Sequence, residues 1–469
     1  MSEDFAMQQR SSGIDSQRVD ELRQEFRGDV IQPADADYHD ARRVWNGMVD
    51  RRPAVVVRPL DNVDVVRAVR FGRDNNLVLA IRGGGHSLPG HSTCDDGLVL
   101  DLSRMRGAIV DPATRTARVA GGALLGELDI AAQEHGLVCP VGVVSHTGVG
   151  GLTLGGGMGR LQRKHGFTID NLRAVELVTA DGRLVRADQV ENAELFWAMR
   201  GAGANFGVVT AFEFDLHPYD GAMTVAYAVH SGNRIAEAWA IYRDFVASAP
   251  DHLMVSFNMS RAPAGLVPEE LVGSPIVKIT AFHSGDVEAA GEELRSLMGS
   301  GSPVATAHDV LRYLDVQRRA DEDSRWGRRA YTKGGFTQDL PATSLEAQVH
   351  HLRDAGPGDL FGLWSQGGQI SRLDEVATAF TGRSAPFQMS SESTWDDPAD
   401  DDNRIGWTRA AFAIAEPYSS TGRYVNDVAD TSAGLARGIY GDAKYDRLVA
   451  VKRAWDPDNV FRLNQNIKP

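Results

Sequence analysis

Two glycine-rich loops, each entered from a strand-like run, constrain this chain more than any other feature. The first is Ile81-Arg82-Gly83-Gly84-Gly85-His86-Ser87-Leu88-Pro89-Gly90-His91, reached from the apolar run 77–81. The second is Val144-Ser145-His146-Thr147-Gly148-Val149-Gly150-Gly151-Leu152-Thr153-Leu154-Gly155-Gly156-Gly157-Met158-Gly159. Consecutive glycines leave bare backbone, which can turn sharply and lay its N–H groups against an anion such as a pyrophosphate. One Gly-Gly-Gly-His segment alone fits a tight turn whose histidine caps a neighbour. Two cradles at the ends of neighbouring strand-like segments point instead to one extended, phosphate-bearing cofactor, with His86 held beside it.

The elements around the first loop follow from patterning. Val19, Leu22 and Phe26 suit one short helix in an otherwise polar start. A helix is expected around 41–48, then a strand at 54–57. Asp61 can cap a helix with Val65, Val66, Val69 and Phe71 on one side, and the run into the first loop completes a strand–helix–strand unit. No G-x-G-x-x-G follows its first strand, so nicotinamide-dinucleotide binding of that type is disfavoured. Gly201-Ala202-Gly203-Ala204-Asn205-Phe206-Gly207 has similar spacing, but it stands after a helix-like run and before a strand, the reverse of the fingerprint order. Runs 98–102 and 117–120 read as strands and 125–135 as a helix stopped by Gly136. Ala180-Asp181-Gly182, between 175–179 and 183–186, reads as a hairpin turn.

From Pro218 the texture changes. Runs 223–229, 253–259 and 276–282 alternate apolar and polar residues, and Ile235, Trp239, Tyr242 and Val246 form a helical stripe. This predicts an antiparallel sheet with helices on one face and its other face roofing the cofactor. A strand at 363–366 sets Trp364 and Gln366 on one face. The acidic run 396–402 reads as a solvated connection and 407–415 as a helix. The fold class is α+β, divided into an N-terminal segment 1–29, a cofactor-binding domain 30–217, a substrate domain 218–415, and a segment 416–469 that returns to the first domain.

A net charge of −14 argues against nucleic acid or an anionic membrane as partner, since both need a basic surface. The two cysteines, Cys94 and Cys139, make neither a disulfide scaffold nor a metal-ligand spacing. The acidic first residues contain no apolar signal region, and no apolar run reaches the ~20 residues of a membrane span. A cytoplasmic protein without a metal is expected.

Arg-Gly-Gly-Gly-His-Ser, Gly-Val-Gly-Gly-Leu-Thr-Leu-Gly-Gly-Gly-Met-Gly and the tail 445–466 together resemble the FAD-dependent oxidoreductases of the vanillyl-alcohol-oxidase superfamily, in the berberine-bridge-enzyme-like branch. The resemblance implies a PCMH-type FAD-binding fold with FAD bonded covalently through His86. It also implies cofactor contacts at Arg82, Gly83, Gly84, Gly85, Ser87, Gly90, His91, Val144, Ser145, Thr147, Gly148, Gly150, Gly151, Gly155, Gly207, Val209, Asn464 and Asn466. Val144 takes the place of a second, cysteine tether found in some members, so a single link is expected. Thr147 falls where the family gates oxygen. Tyr424, beside Arg423, is either a phenolate base or a packing tyrosine. Asn426, Gln366 and Gln369 are candidate pocket polars, Asp374 and Glu375 further candidate bases, and His146 either a pocket or a structural histidine. The implied activity is an oxidase that takes hydride from an alcohol, sugar or cyclic amine and forms hydrogen peroxide. A dehydrogenase using another acceptor and a flavin-binding protein without turnover are the alternatives. Oligomeric state is left open.

Overall fold

The computed structural model describes residues 14–469 apart from Asp220 and Ala433. The first residues, in which no signal region is read, lie outside the described residues. The first sheet runs Asp29–Ile31, Val55–Arg58, Leu98–Asp101, Leu79–Arg82, with the last three parallel. Val55–Arg58 and Leu79–Arg82 are joined by the helix Asn62–Asp74, whose N-cap Asp61 accepts from the N–H groups of Val63 and Asp64. A parallel pair needs such a crossover. The second sheet is antiparallel, in the order Ala108–Asp111, Thr116–Ala120, Val208–Asp215, Leu172–Val178, Leu184–Asp188. Its last two strands are the expected Asp-Gly hairpin, with Gly182 at φ +77°. The helix Asp442–Trp455 packs Leu448 and Val451 into the same core as this sheet, so the tail does return to the first sheets.

The third sheet has seven antiparallel strands ordered Ala305–Arg312, Ala222–Ser231, Pro275–His283, Leu253–Arg261, Asp359–Ser365, Phe387–Trp395, Arg329–Thr337. Helices Ile235–Ser248, Ala342–His351 and Asp401–Ala415 cover one face, burying Trp239, Tyr242, Leu345, Trp407 and Phe412 against Phe257, Phe361 and Met389. Strand alternation turns Gln388, Ser390 and Glu392 to the opposite face. No helix among the described residues is long and apolar enough to cross a membrane.

Two expected elements are corrected. The helix around 41–48 is only Tyr38–Ala41. Beyond it the chain is extended by long-range bonds: Trp45 N–H donates to Gly85, Gly47 N–H to Arg328, and Asn46 binds both Leu88 and Ala330. The acidic run is also more than a loop. Asp397 caps a short 3-10 turn, and Asp401 and Asp402 fill the first turn of Asp401–Ala415, where negative charge favours the helix dipole.

Candidate active site

The two glycine loops lie back to back. A Cβ on Gly84 would stand 2.1 Å from the backbone nitrogen of Gly148, and one on Gly148 would stand 2.2 Å from that of Gly84. The second loop is held from behind: Leu125 N–H donates to Thr147, Gly126 N–H to Ser145, and Val149 N–H to Ala123. The joined loops form one wall of a cavity of about 460 Å³, within the usual range for ligand pockets. Gly83, Gly84, Gly85, His86, Ser87 and His91 line it from the first loop. Val144, Thr147, Gly148, Gly150, Gly151 and Gly155 line it from the second, and Gly207, Val209 and Asn464 from beyond. The helix Ala193–Ala202 breaks at Arg200 and Gly201, the latter at φ +128°, so that Gly201 and Asn205 also reach the cavity. A wall of consecutive glycines that presents bare backbone to the cavity fits a dinucleotide carrying a pyrophosphate.

His86 lines the cavity within an aromatic setting. Trp45 stacks on its ring at 4.8 Å and 16°, and the edge of Trp326 stands at 6.3 Å. Its Nε2 lies 2.8 Å from His146 Nδ1, and His146 Nε2 lies 3.5 Å from the carbonyl oxygen of Asp321. Burial and the neighbouring His146 push the His86 pKa down to about 3, so the imidazole is neutral. A carbonyl only accepts, so the tautomer of His146 that bonds Asp321 carries its hydrogen on Nε2 and accepts at Nδ1 from His86 Nε2–H. That leaves the lone pair on His86 Nδ1. Asp321 also accepts from Ser145 N–H and Oγ, which anchors the chain leading to the lining residue Ser324 and to Trp326.

The cavity is also lined by two carboxyls that the sequence does not single out, Glu392 and Asp427. Glu392 accepts from Ser390 Oγ at 2.6 Å, and Asp427 Oδ2 from Gln388 Nε2 at 2.8 Å. Burial, then the neighbouring Glu392, push the Asp427 pKa up to about 8, and burial raises Glu392 as well. Carboxyls raised in this way are suited to taking up and releasing a proton.

Several expected site residues stand elsewhere. Tyr424 does not line the cavity as a base. Its hydroxyl accepts from Gly157 N–H, Met158 N–H and Asn426 Nδ2, and burial raises its pKa to about 12. It packs against Phe380 and Met158, the packing alternative of the two. Asn426 does line the cavity, with its amide donating to Leu152 and Tyr424, so it clamps the segment that presents Asp427. Arg82 is buried behind the loop, bonded to Asp101 and to the carbonyls of Ala41 and Arg43. Gly90 faces Val49 and accepts from Arg51, Ser145 faces Asp321, and Asn466 is half-buried off the lining with its Oδ1 enclosed. Gln366 and Gln369 are carried away by the turn at Gly367 and Gly368, which packs on Arg163; Gln369 accepts from Arg372 instead. Asp374 caps a 3-10 turn, and Glu375 accepts from Gly382, Arg383 and Lys444. Both cysteines are buried and free, and neither lines the cavity.

Fold and cavity together define a flavin-dinucleotide enzyme of the two-cradle kind. Residues 53–188 match the model of a family described as FAD binding domain, and residues 423–468 that of one described as berberine and berberine like. A FAD-linked oxidoreductase of Dictyostelium discoideum is 31% identical over 467 residues, covering 97% of each chain. The solved structure of 6-hydroxy-D-nicotine oxidase from Arthrobacter nicotinovorans superposes with a TM-score of 0.83 at 28% identity, covering 95% of this chain and 98% of that one. Physcomitrella patens BBE-like 1 shares the fold, with a TM-score of 0.86 at 22% identity over 96% of this chain and 99% of that one. The chain belongs to the berberine-bridge-like FAD-linked oxidoreductases and is a FAD-dependent oxidoreductase.

Proposed function

We propose that this enzyme is an oxidase whose FAD is bonded through His86 alone, and that it oxidises a small organic molecule with oxygen as electron acceptor. What carries the reading is one juxtaposition: a neutral imidazole and two carboxyls line the same glycine-walled cavity. FAD held in this cavity would supply the hydride-accepting and oxygen-reducing chemistry, with hydrogen peroxide as the reduced product.

The chain's own residues do the rest. The two cradles hold the pyrophosphate. Trp45 and His146 fix the ring plane and tautomer of His86, so that Nδ1 is the bonding nitrogen. Glu392, with Asp427, takes the substrate proton. The strap 321–328 covers His86 and limits water. Val144 lines the cavity where a second tether would need a thiol, which supports a single link.

Denatured protein run on a gel will show flavin fluorescence, and His86→Ala will abolish that band. Peroxide will form in air on adding substrate. Colourless protein after expression with added FAD, or a fluorescent band surviving in His86→Ala, overturns the assignment. Dye reduction without peroxide makes the enzyme a dehydrogenase. His146→Ala gives a finer prediction. It will retain flavin in the native state but release most of it on denaturation, because the His86 tautomer is no longer set. Unchanged covalent flavin would remove His146 from the argument.

A further inference from the structure

Deeply placed carboxylates in this protein are generally matched to cations: Asp101 to Arg58 and Arg82, Asp170 to Arg383, Asp359 to Arg404, Asp456 to Lys452. Asp129 is an exception, enclosed by Tyr313 and Gln317 off the cavity. Glu392 and Asp427 are exceptions that line it. The cations closest along the neighbouring strand and the returning segment are engaged elsewhere. Lys333 binds Asp430 at 2.7 Å, Arg409 lies 3.8 Å from Asp430, and Arg423 binds Glu416 and the carbonyl of Gly334. Among the described residues no donor reaches Asp427 Oδ1 or Glu392 Oε2; the bonds described above use only Oδ2 and Oε1. Gly334 makes the room, since a Cβ there would press on the Asp427 Cβ at 3.1 Å.

A buried carboxylate without a counter-ion is costly, and a ligand cation supplies what the protein withholds. Resting on the flavoenzyme reading above, we propose that the substrate is a cationic amine whose ammonium docks against the Asp427–Glu392 pair, with Asp427 setting the charge selectivity. The arrangement also suits the chemistry. The ammonium N–H bond breaks and its proton passes to a carboxylate of the pair, restoring the nitrogen lone pair. The adjacent C–H bond then breaks as the C=N bond forms, and hydride with its two electrons leaves to FAD. Oxygen takes those electrons and two protons as peroxide, and the iminium product is free to hydrolyse. The raised pKa of Asp427 fits a carboxyl that is protonated when the site is empty and loses that proton to solvent when a cation docks, leaving a carboxylate to receive the ammonium proton.

The test uses holoenzyme and the flavin absorbance as readout, with 2-phenylpyrrolidine and its neutral oxygen counterpart 2-phenyltetrahydrofuran as probes. The amine is expected to bind at least about tenfold more tightly, a preference worth roughly one charge contact. Asp427→Asn should reduce that preference about tenfold while flavin content stays at one per chain. Glu392→Gln provides a second variant should the first load flavin poorly. Equal affinities, a preference for the ether, or no perturbation by millimolar amine in protein that holds its flavin overturns the proposal and leaves the flavoenzyme reading standing. Protein without flavin overturns both.

Discussion

Gly84→Ala will yield protein without flavin. The added methyl group falls 2.1 Å from Gly148 N and 2.6 Å from Gly148 Cα, both backbone atoms. No side chain rotates to relieve this, and Gly148 cannot retreat. Its neighbours Thr147 and Val149 are bonded to Leu125 and Ala123, and the helix Leu125–Gln133 behind them buries Leu125 and Leu128 fully. The loops must therefore part, and parting them opens the single wall on which a dinucleotide would lie. The flavin-to-protein absorbance ratio is expected to fall at least about tenfold, with a lower melting temperature, because overpacking costs a few kcal/mol by itself. Gly406→Ala is the control. It lies inside the helix Asp401–Ala415 with nothing within 4 Å of the added carbon, and should keep its flavin and gain about 1 kcal/mol of helix propensity. A yellow, stoichiometric Gly84→Ala protein would mean that the two cradles do not share a wall.

The cradles could be read from letters because their function is written in what they lack. A run of glycines between a strand and a helix has few structural uses, and two of them fewer still. The strand–helix–strand start and the Asp-Gly hairpin were equally legible, since Asp61 and Gly182 act locally. The third sheet was legible only in part. Its strands 222–231, 253–261 and 275–283 alternate visibly, but Phe387–Trp395 reads Phe-Gln-Met-Ser-Ser-Glu-Ser-Thr-Trp, too polar to suggest a central strand. Both its faces are enclosed. Ser393 bonds Thr408 under the helices, Gln388 binds Asp427 and Glu392 lines the cavity, so polarity there reports tertiary partners and not exposure.

The same blindness hid the carboxyl pair. Glu392 and Asp427 meet across 35 residues of sequence only through the fold. The motif Arg423-Tyr424-Val425-Asn426-Asp427 drew attention to the tyrosine, a residue type suited to base chemistry. In the structure the tyrosine hydroxyl is consumed by two backbone N–H groups and an amide, and its role is to hold the segment that delivers the aspartate. Gly155, Gly156 and Gly157 belong to this arrangement. Side chains there would strike Asn426, Phe380 and Thr168, so the second half of the cradle is bare for packing and not for phosphate.

Glu392→Gln is expected to lower kcat by about 10²–10⁴, the usual contribution of a positioned general base. The amide keeps the size of the side chain and can still accept from Ser390 Oγ, so the strand and the cavity wall survive. Flavin content and gel fluorescence should equal wild type, which separates a lost base from a lost cofactor. The pH profile carries the sharper signature. In the wild type Asp427 is raised to about 8, by burial first and by the Glu392 carboxyl second, so it must lose its proton before it can act as an acceptor. Activity should therefore climb as pH rises through that region. Removing Glu392 deletes the like charge but not the burial, so the residual activity should climb at lower pH, where Asp427 now ionises. If the two carboxyls work as one unit, Asp427→Asn combined with Glu392→Gln will cost little more than the worse single change. A full-rate Glu392→Gln enzyme, or a residual profile that shifts upward in pH, would place the base elsewhere in the cavity.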